Sequence, residues 1–406
     1  MYFCAKMQNP SAFFIFVSMK KLVLLFILIA RIAPVCATSL DSVRISLLTC
    51  APGTEIYTLF GHTAIRYENP PKGQDWVYNY GMFSFSEPNF VMRFVKGETD
   101  YQLGRIPFPY FEAEYAMRGS AVYQQVLNLT YDEKVRLISL LEENYRLVNR
   151  IYRYNYFYDN CTTRARDKIE ESIDGQVVYP EGAANVSFRH IIHEFTAGHD
   201  WSEFGIDLCL GADADKRIGV RQQMFAPFYM MHLASEAMIH RADTIVPFVS
   251  EEFKVVDVEQ EPGESFWCSP MTAAILLLFL TLMVVGWGIR RGCIPWAWDV
   301  LLFGAQGIGG IVVSFLFFFS VHPTVGSNWL IILFNPLPLI YLPWMIYKHV
   351  KGKKDLYHGI NAVCLTSFII LMPLLQQKFN LTVLPLALCL LLTSVGHLYI
   401  YRRKRL

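Results

Sequence analysis

The sequence predicts two folds in one chain: an exported α+β domain, then an all-α membrane domain of five transmembrane helices. Three observations carry this reading. Residues 40–265 mix charged, polar and apolar side chains as a soluble domain does, whereas residues 271–401 are apolar runs broken by short polar pieces. The soluble part begins with strand-like segments and then turns helical, an order that fits α+β better than a doubly wound sheet. The basic residues of the apolar part fall in alternate loops. Of the 406 residues, 53% are hydrophobic and 17% charged, the second figure lying below the usual share of about a quarter. A net charge of +1 supplies no field that would recruit nucleic acid.

The elements follow in order. Residues 1–38 read as a signal peptide or an N-terminal membrane segment: from Met19 the chain shows two lysines, an apolar stretch and small residues near Ala37. The residues ahead of Met19 read as lying before the true start. Cys36 is a poor lipid-attachment site, because Val35 precedes it where Gly or Ala is usual. Residues 39–268 form the exported domain. SVRISLLTC (42–50) alternates and predicts a strand. HTAIRYE (62–68) and DWVYNYGMF (75–83) predict two more, joined by the turn-forming NPPKGQ. FPYFEAEYAMRGSAVYQQVLNL is mixed. TYDEKVRLISLLEENYRLV (130–148) predicts an amphipathic helix with Thr130 as cap and Glu133 at the capping-box position. YFYDNCTTRARDKIEESI (156–173) then predicts an extended lead-in to Asn160 and a helix from about Cys161.

Residues 269–406 form the membrane domain. Its five apolar segments are about 272–289, 299–320, 328–347, 358–374 and 381–400, the fourth being the shortest. Arg290 and Arg291, the lysines at 348, 351, 353 and 354, and the tail Arg402, Arg403, Lys404 and Arg405 share one side; the alternate loops carry only Lys378. The positive-inside rule puts the basic side and the C-terminus in the cytoplasm, and the domain 39–268 outside. The outer loop after the second span offers His322, Asn328 and Asn335 near the membrane face. They read either as functional polar groups or as turn and interface residues.

The chemistry centres on Cys161. A helix N-terminus stabilises a thiolate, and Arg164 and Arg166 add positive charge. A nucleophile also needs a base. His62 in LFGHTAIRY is the best candidate, because Gly61 before it permits close backbone approach. Asn79 is the preferred residue to orient that imidazole, with Tyr78 and Tyr80 as rivals. The competing account is structural. Cys50, Cys161, Cys209 and Cys268 are an even set, so Cys161 could instead be bridged to Cys50 or Cys209 in a non-enzymatic receptor domain. RHIIHEFTAGHD, with His190, His193, Glu194 and His199, lacks the spacing of a helical zinc motif. No metal and no cofactor is expected.

LLTCAPGTEIYTLFGHTAIRY, VYNYGMFSF, FVKGETDYQL, NYFYDNCTTRARDKI and FGIDLCLGADAD together resemble the exported domain of the lipoprotein N-acyltransferase family Lnb. The order of His before Asn-Cys also resembles permuted papain-like folds, in which the Cys starts a helix packed on an antiparallel sheet. The resemblance implies acyl transfer at the bacterial inner membrane, from phospholipid through a Cys161 thioester to the amine of a diacylglyceryl lipoprotein. It assigns Cys161 as nucleophile, His62 as base and Asn79 as third member. Arg66 and Arg164 become candidates for the phosphate head group, with His322 and Asn328 as further substrate contacts. The expected partners are phospholipid, lipoprotein and bilayer. The alternative enzyme is a membrane-anchored, papain-like amidase or peptidase acting on cell-wall peptides.

Overall fold

A computed structural model describes residues 42–258 and 266–405; the expected export signal, with Met19, Cys36 and Ala37, lies outside the described residues. Ten strands and twelve longer helices organise these residues. The strands are β1 (Arg44–Cys50), β2 (His62–Asn69), β3 (Gln74–Met82), β4 (Asp100–Pro107), β5 (Val122–Leu127), β6 (Ile151–Arg153), β7 (Gln176–Val178), β8 (Met238–His240), β9 (Ile245–Pro247) and β10 (Val249–Val256). Seven of them form one sheet in the order β10-β5-β1-β2-β3-β4-β6, and every neighbour is antiparallel. The other three form a small antiparallel sheet.

The helices of the exported domain are α1 (Phe90–Lys96), α2 (Phe108–Met117), α3 (Tyr131–Tyr145), α4 (Cys161–Ser172), α5 (Phe188–Thr196), α6 (Asp200–Cys209) and α7 (Pro227–Glu236). The central strands are covered on both faces. Ile45, Leu47, Ile65 and Tyr78 pack with Leu137 and Leu141 of α3 and with Ala165 and Ile169 of α4. Leu48, Ala64 and Val77 pack with Phe108, Phe111 and Tyr115 of α2. Each such fully buried aliphatic side chain contributes about 1.5–3 kcal/mol. The β2–β3 connection is a single 3-10 turn over Pro70–Lys72, closed by Gly73 at φ 60°. The capping box predicted at Thr130 is present: the Thr130 N–H donates to Glu133 Oε2 at 2.7 Å, and the Glu133 N–H donates to Thr130 Oγ1. The helix it starts ends at Tyr145, three residues earlier than predicted.

The membrane domain holds α8 (Pro270–Arg291), α9 (Trp296–Phe319), α10 (Leu337–Val350), α11 (Leu356–Leu371) and α12 (Val383–Arg403). Four helices are long and apolar enough to cross a bilayer, α11 counting with the 3-10 turn that extends it to Leu374. The third predicted segment, 328–347, is the one that differs. Its first part forms 3-10 turns at Val325–Ser327 and Trp329–Ile331, and only Leu337–Val350 continues as a helix, with Pro343 inside it. Fourteen residues rise about 21 Å, short of the ~30 Å of hydrocarbon. Asn328, Asn335 and Pro336 break the helix that hydropathy alone predicts: Asn328 caps the Leu330 N–H and Asn335 accepts from the Leu337 N–H.

The exported domain sits on the loops at one end of this bundle. The Val321 N–H donates to Lys96 O at 2.8 Å, the Gly211 N–H to Thr324 O at 2.8 Å, and Asn380 Nδ2 to Asp207 Oδ2 at 3.1 Å. Beneath them Arg189, 1% exposed, is paired with Asp207 and with Asp215. A buried cation held between two carboxylates fixes this seam, because removing any one member leaves an uncompensated charge.

Candidate active site

Cys161 is the first residue of α4, and Asn160 caps that helix. Asn160 Oδ1 accepts from the N–H groups of Thr162 and Thr163, both at 2.9 Å, and not from that of Cys161. Its own amide donates to Tyr156 O at 2.8 Å and to Phe225 O at 2.9 Å, which ties the cap to the domain core. The helix start is therefore fixed in place with one first-turn N–H outside the cap's reach.

His62 opens β2 opposite Cys50 of β1. Gly61 before it has φ 74°, and a Cβ there would stand 2.5 Å from Cys50 O, so only glycine fits this turn. His62 Nε2 lies 2.5 Å from Asn79 Oδ1. The other ring nitrogen is left for the Cys161 thiol, and the two groups act on each other electrostatically. Gly81, at φ 86°, completes the corner: a Cβ built on it would lie 3.5 Å from Cys161 Cβ and 3.9 Å from His62 Cε1. The rivals for the third position are settled by direction. Tyr78 donates to Glu142 and Tyr80 to Asn144, both on α3. Thus three side chains from separate elements form a thiol–imidazole–amide line.

The electrostatics agree. Burial alone would push the Cys161 thiol up, but the His62 charge and hydrogen bond, the Thr63 backbone N–H and the Thr162 hydroxyl outweigh it and bring the thiol from 9.0 down to about 7. Burial likewise opposes protonation of His62, yet the Cys161 charge, its hydrogen bond and Asn79 hold the imidazole above its ordinary 6.5. Other buried thiols of the domain behave in the opposite way. Burial pushes Cys50 far up and Cys209 up to about 11. No disulfide joins the described cysteines; Cys50, Cys161, Cys209 and Cys268 are all free. The bridged, purely structural account of Cys161 is thereby corrected.

The remaining residues expected at the site go elsewhere. Arg66 makes two bonds to Asp75, at 2.9 and 2.7 Å, donates to Gln124 and lies over the Phe108 ring. Its buried guanidinium is spent within the sheet, so a head-group role has no support there. Arg164 clamps Asp159 through two bonds of 2.6 and 2.7 Å and stacks on Tyr152 at 3.6 Å, bracing the turn before the thiol. His322 pairs through Nε2 with Phe94 O at 2.7 Å, and Asn328 donates to Leu208 O at 2.8 Å. Both belong to the seam between the domains rather than to the thiol. His190 pairs with Glu194, and His193 with Asp207. His193, Glu203 and Asp207 lie within metal-ligand reach of one another, but Arg189 and Asn380 already occupy Asp207, so a cationic charge is in place.

Tyr152 is a residue that sequence reasoning passed over. Its hydroxyl is buried, faces the Gly81 backbone N–H, finds no acceptor for its own proton, and would lie 4.0 Å from a Cβ on Gly81, beside the thiol. Only the position of the short β6 brings it there. A run of rings also leads from Tyr57 to the membrane loops. Tyr57, Phe83, Phe85, Phe90, Phe94 and His322 follow one another at centroid separations of 5.0–6.3 Å. Tyr57, Phe85 and Phe94 are exposed.

Comparison with family models gives two matches. Residues 36–191 match the Lnb N-terminal periplasmic domain, and residues 261–405 match the Lnb transmembrane domain, whose label specifies five helices. The chain belongs to the Lnb family. Comparison with curated proteins and with solved structures finds no significant match. The Lnb periplasmic-domain match contains His62, Asn79, Tyr152 and Cys161. The Lnb membrane domain includes the short α10, so the fifth helix of the family label corresponds here to a 14-residue element.

Proposed function

We propose that this Lnb-family protein moves a fatty acyl group from phospholipid, through a thioester on Cys161, to the N-terminal amine of diacylglyceryl lipoproteins. The observation that carries the reading is the line from Cys161 through His62 to Asn79 at a capped helix start. His62 takes the thiol proton, and the thiolate attacks the ester carbonyl carbon of the donor. The Cys161 N–H and the Tyr152 hydroxyl are the donors for the oxyanion, each contributing roughly 2.7–4 kcal/mol. The carbon–oxygen ester bond breaks, and His62 returns its proton to the leaving lysophospholipid oxygen. The neutral α-amine of the acceptor then attacks the thioester; its ordinary pKa near ~8 keeps a usable neutral fraction. His62 removes the amine proton as the carbon–sulfur bond breaks and the amide forms.

The exposed rings from Tyr57 to Phe94 support a lipid rather than a cell-wall peptide as substrate, since they form an apolar track that runs toward the membrane loops. The basic loops support a topology with the thiol domain on the periplasmic side of the inner membrane and the C-terminus in the cytoplasm. The test is to incubate purified full-length protein with labelled phospholipid and find the acyl mass on the Cys161 peptide. A diacylglyceryl-cysteine peptide should discharge it as an amide. Lipoproteins still N-acylated in cells carrying only Cys161→Ala would refute the assignment. Cleavage of cell-wall peptides without acyl transfer would favour the amidase instead.

A further inference from the structure

The far end of the membrane bundle, away from the thiol domain, gathers a second set of reactive side chains. Cys293 lies in the link between α8 and α9, Asp299 in the first turn of α9, His349 at the end of α10, His358 near the start of α11, and His397 in α12. Cys293 Sγ is 3.3 Å from His349 Nε2, and His397 Nε2 is 2.8 Å from Asp299 Oδ1. One donor atom each from Asp299, His349 and His397 lies within 4.8 Å of the others. The rings of His358 and His397 stack at 4.2 Å, and those of His349 and His397 meet at 5.4 Å.

Two features mark this as more than a polar contact. Asp299 is 1% exposed and His358 only 4%, in a region where polar groups are costly to bury. His358 Nδ1 is buried and has no hydrogen-bond partner, although the residue lines the same cavity of about 80 Å³ as Cys293, His349 and His397. The cavity also borders Lys353, Lys354 and Lys404, whose exposed ammonium groups are screened by solvent.

The geometry points to a divalent transition-metal site, best suited to zinc, whose donor group is Asp299, His349 and His397, with Cys293, which touches His349 alone, swinging in as the fourth ligand when the ion binds. Mixed imidazole, thiolate and carboxylate donors are the zinc pattern. Given zinc bond lengths of about 2.0–2.3 Å, tetrahedral ligand atoms stand roughly 3.3–3.7 Å apart. The Cys293–His349 pair already has that spacing. Binding releases the Cys293 thiol proton, and the resulting thiolate and the Asp299 carboxylate balance the two positive charges of the ion. The ion joins α9, α10, α12 and the α8–α9 link, and so staples the helix ends opposite the thiol domain.

The test uses the full-length protein in detergent, dialysed against metal-free buffer and then given zinc or cobalt alone. Wild type should retain one zinc per chain, and added zinc should raise its thermal midpoint. His349→Gln and Cys293→Ser should each bind about tenfold more weakly or worse, with no rise in midpoint. The cobalt form should show a thiolate charge-transfer band that Cys293→Ser removes and that Cys364→Ser, at an exposed cysteine of α11, retains. The proposal is overturned if wild type binds zinc no more tightly than His349→Gln. It is equally overturned if the cobalt form carries no thiolate band.

Discussion

Two places in this chain set a cysteine against a histidine, and they are built for opposite ends. Cys161 starts a helix, where unpaired N–H groups favour a negative sulfur. Cys293 follows Gly292, the residue that caps the end of α8, so it sits just past the carbonyl end of a helix, its N–H bonded to Gly288 O and its thiol donating to Ile294 O in the link. That end disfavours an anion unless another cation is supplied. Cys161 meets one imidazole, oriented by a neutral amide, beside a buried tyrosine hydroxyl. Cys293 meets the first of three clustered imidazoles with a buried carboxylate behind them. The same two residue types suit a nucleophile in one setting and a ligand set in the other. What surrounds the pair decides which.

The largest effect expected is loss of chemistry at the first site. Cys161→Ala and His62→Gln should each lower acyl transfer by about 10⁴-fold or more, and the double variant should be no worse than either single one. N-terminal mass spectrometry of lipoproteins reads this directly. Additive losses would show that His62 acts apart from the thiol. Tyr152→Phe comes next, with a fall of about 10²–10³-fold in kcat if its hydroxyl donates to the oxyanion. KM for phospholipid should hardly move. A change confined to KM would make Tyr152 a substrate contact only.

Alkylation separates the two thiols further. Cys161 should alkylate with a midpoint near pH 7, faster as pH rises because the thiolate is the reactive form. In His62→Gln the midpoint should move upward, toward and past 9.0, because burial then stands unopposed by a neighbouring positive charge. Peptide mapping after alkylation should show zinc protecting Cys293 but not Cys161, and phospholipid protecting Cys161 but not Cys293. Protection of both by zinc would break the distinction between the sites.

How much of this was legible in sequence follows from how local each signal is. The strands β1, β2 and β3, the capping box at Thr130 and the helix start at Cys161 are written in neighbouring residues, and the structure has them. The pairing of His62 with Cys161 crosses ninety-nine positions, yet each partner stands at a recognisable element start, so it could be inferred. Tyr152 could not: it sits on a three-residue strand whose placement depends on pairing with β4. Nor could the second cluster, whose members come from five separate elements with no ligand spacing. The pairing of Arg66 and of Arg164 was hidden for a related reason. Sequence shows a charge but not the Asp75 or Asp159 that consumes it. The third helix starts later than hydropathy predicts, because hydropathy counts Trp329 and Leu330 as membrane residues and cannot see Asn328 capping a turn.

The smallest effect tests the part of the comparison that rests on helix polarity. Asn160→Ala removes the acceptor for the Thr162 and Thr163 N–H groups, a loss of about 0.5–2 kcal/mol of stability. It also frees the first turn of α4 to shift away from His62. Asn160→Ser keeps a capping oxygen but gives up the ties to Tyr156 O and Phe225 O. If the ordered helix start holds the thiolate, the alkylation midpoint of Cys161 should rise in Asn160→Ala and stay closer to pH 7 in Asn160→Ser. Equal midpoints in both variants and wild type would mean that His62 and the Thr63 N–H set the thiol alone. Cys161 and Cys293 would then differ by their side-chain neighbours and not by which end of a helix they occupy.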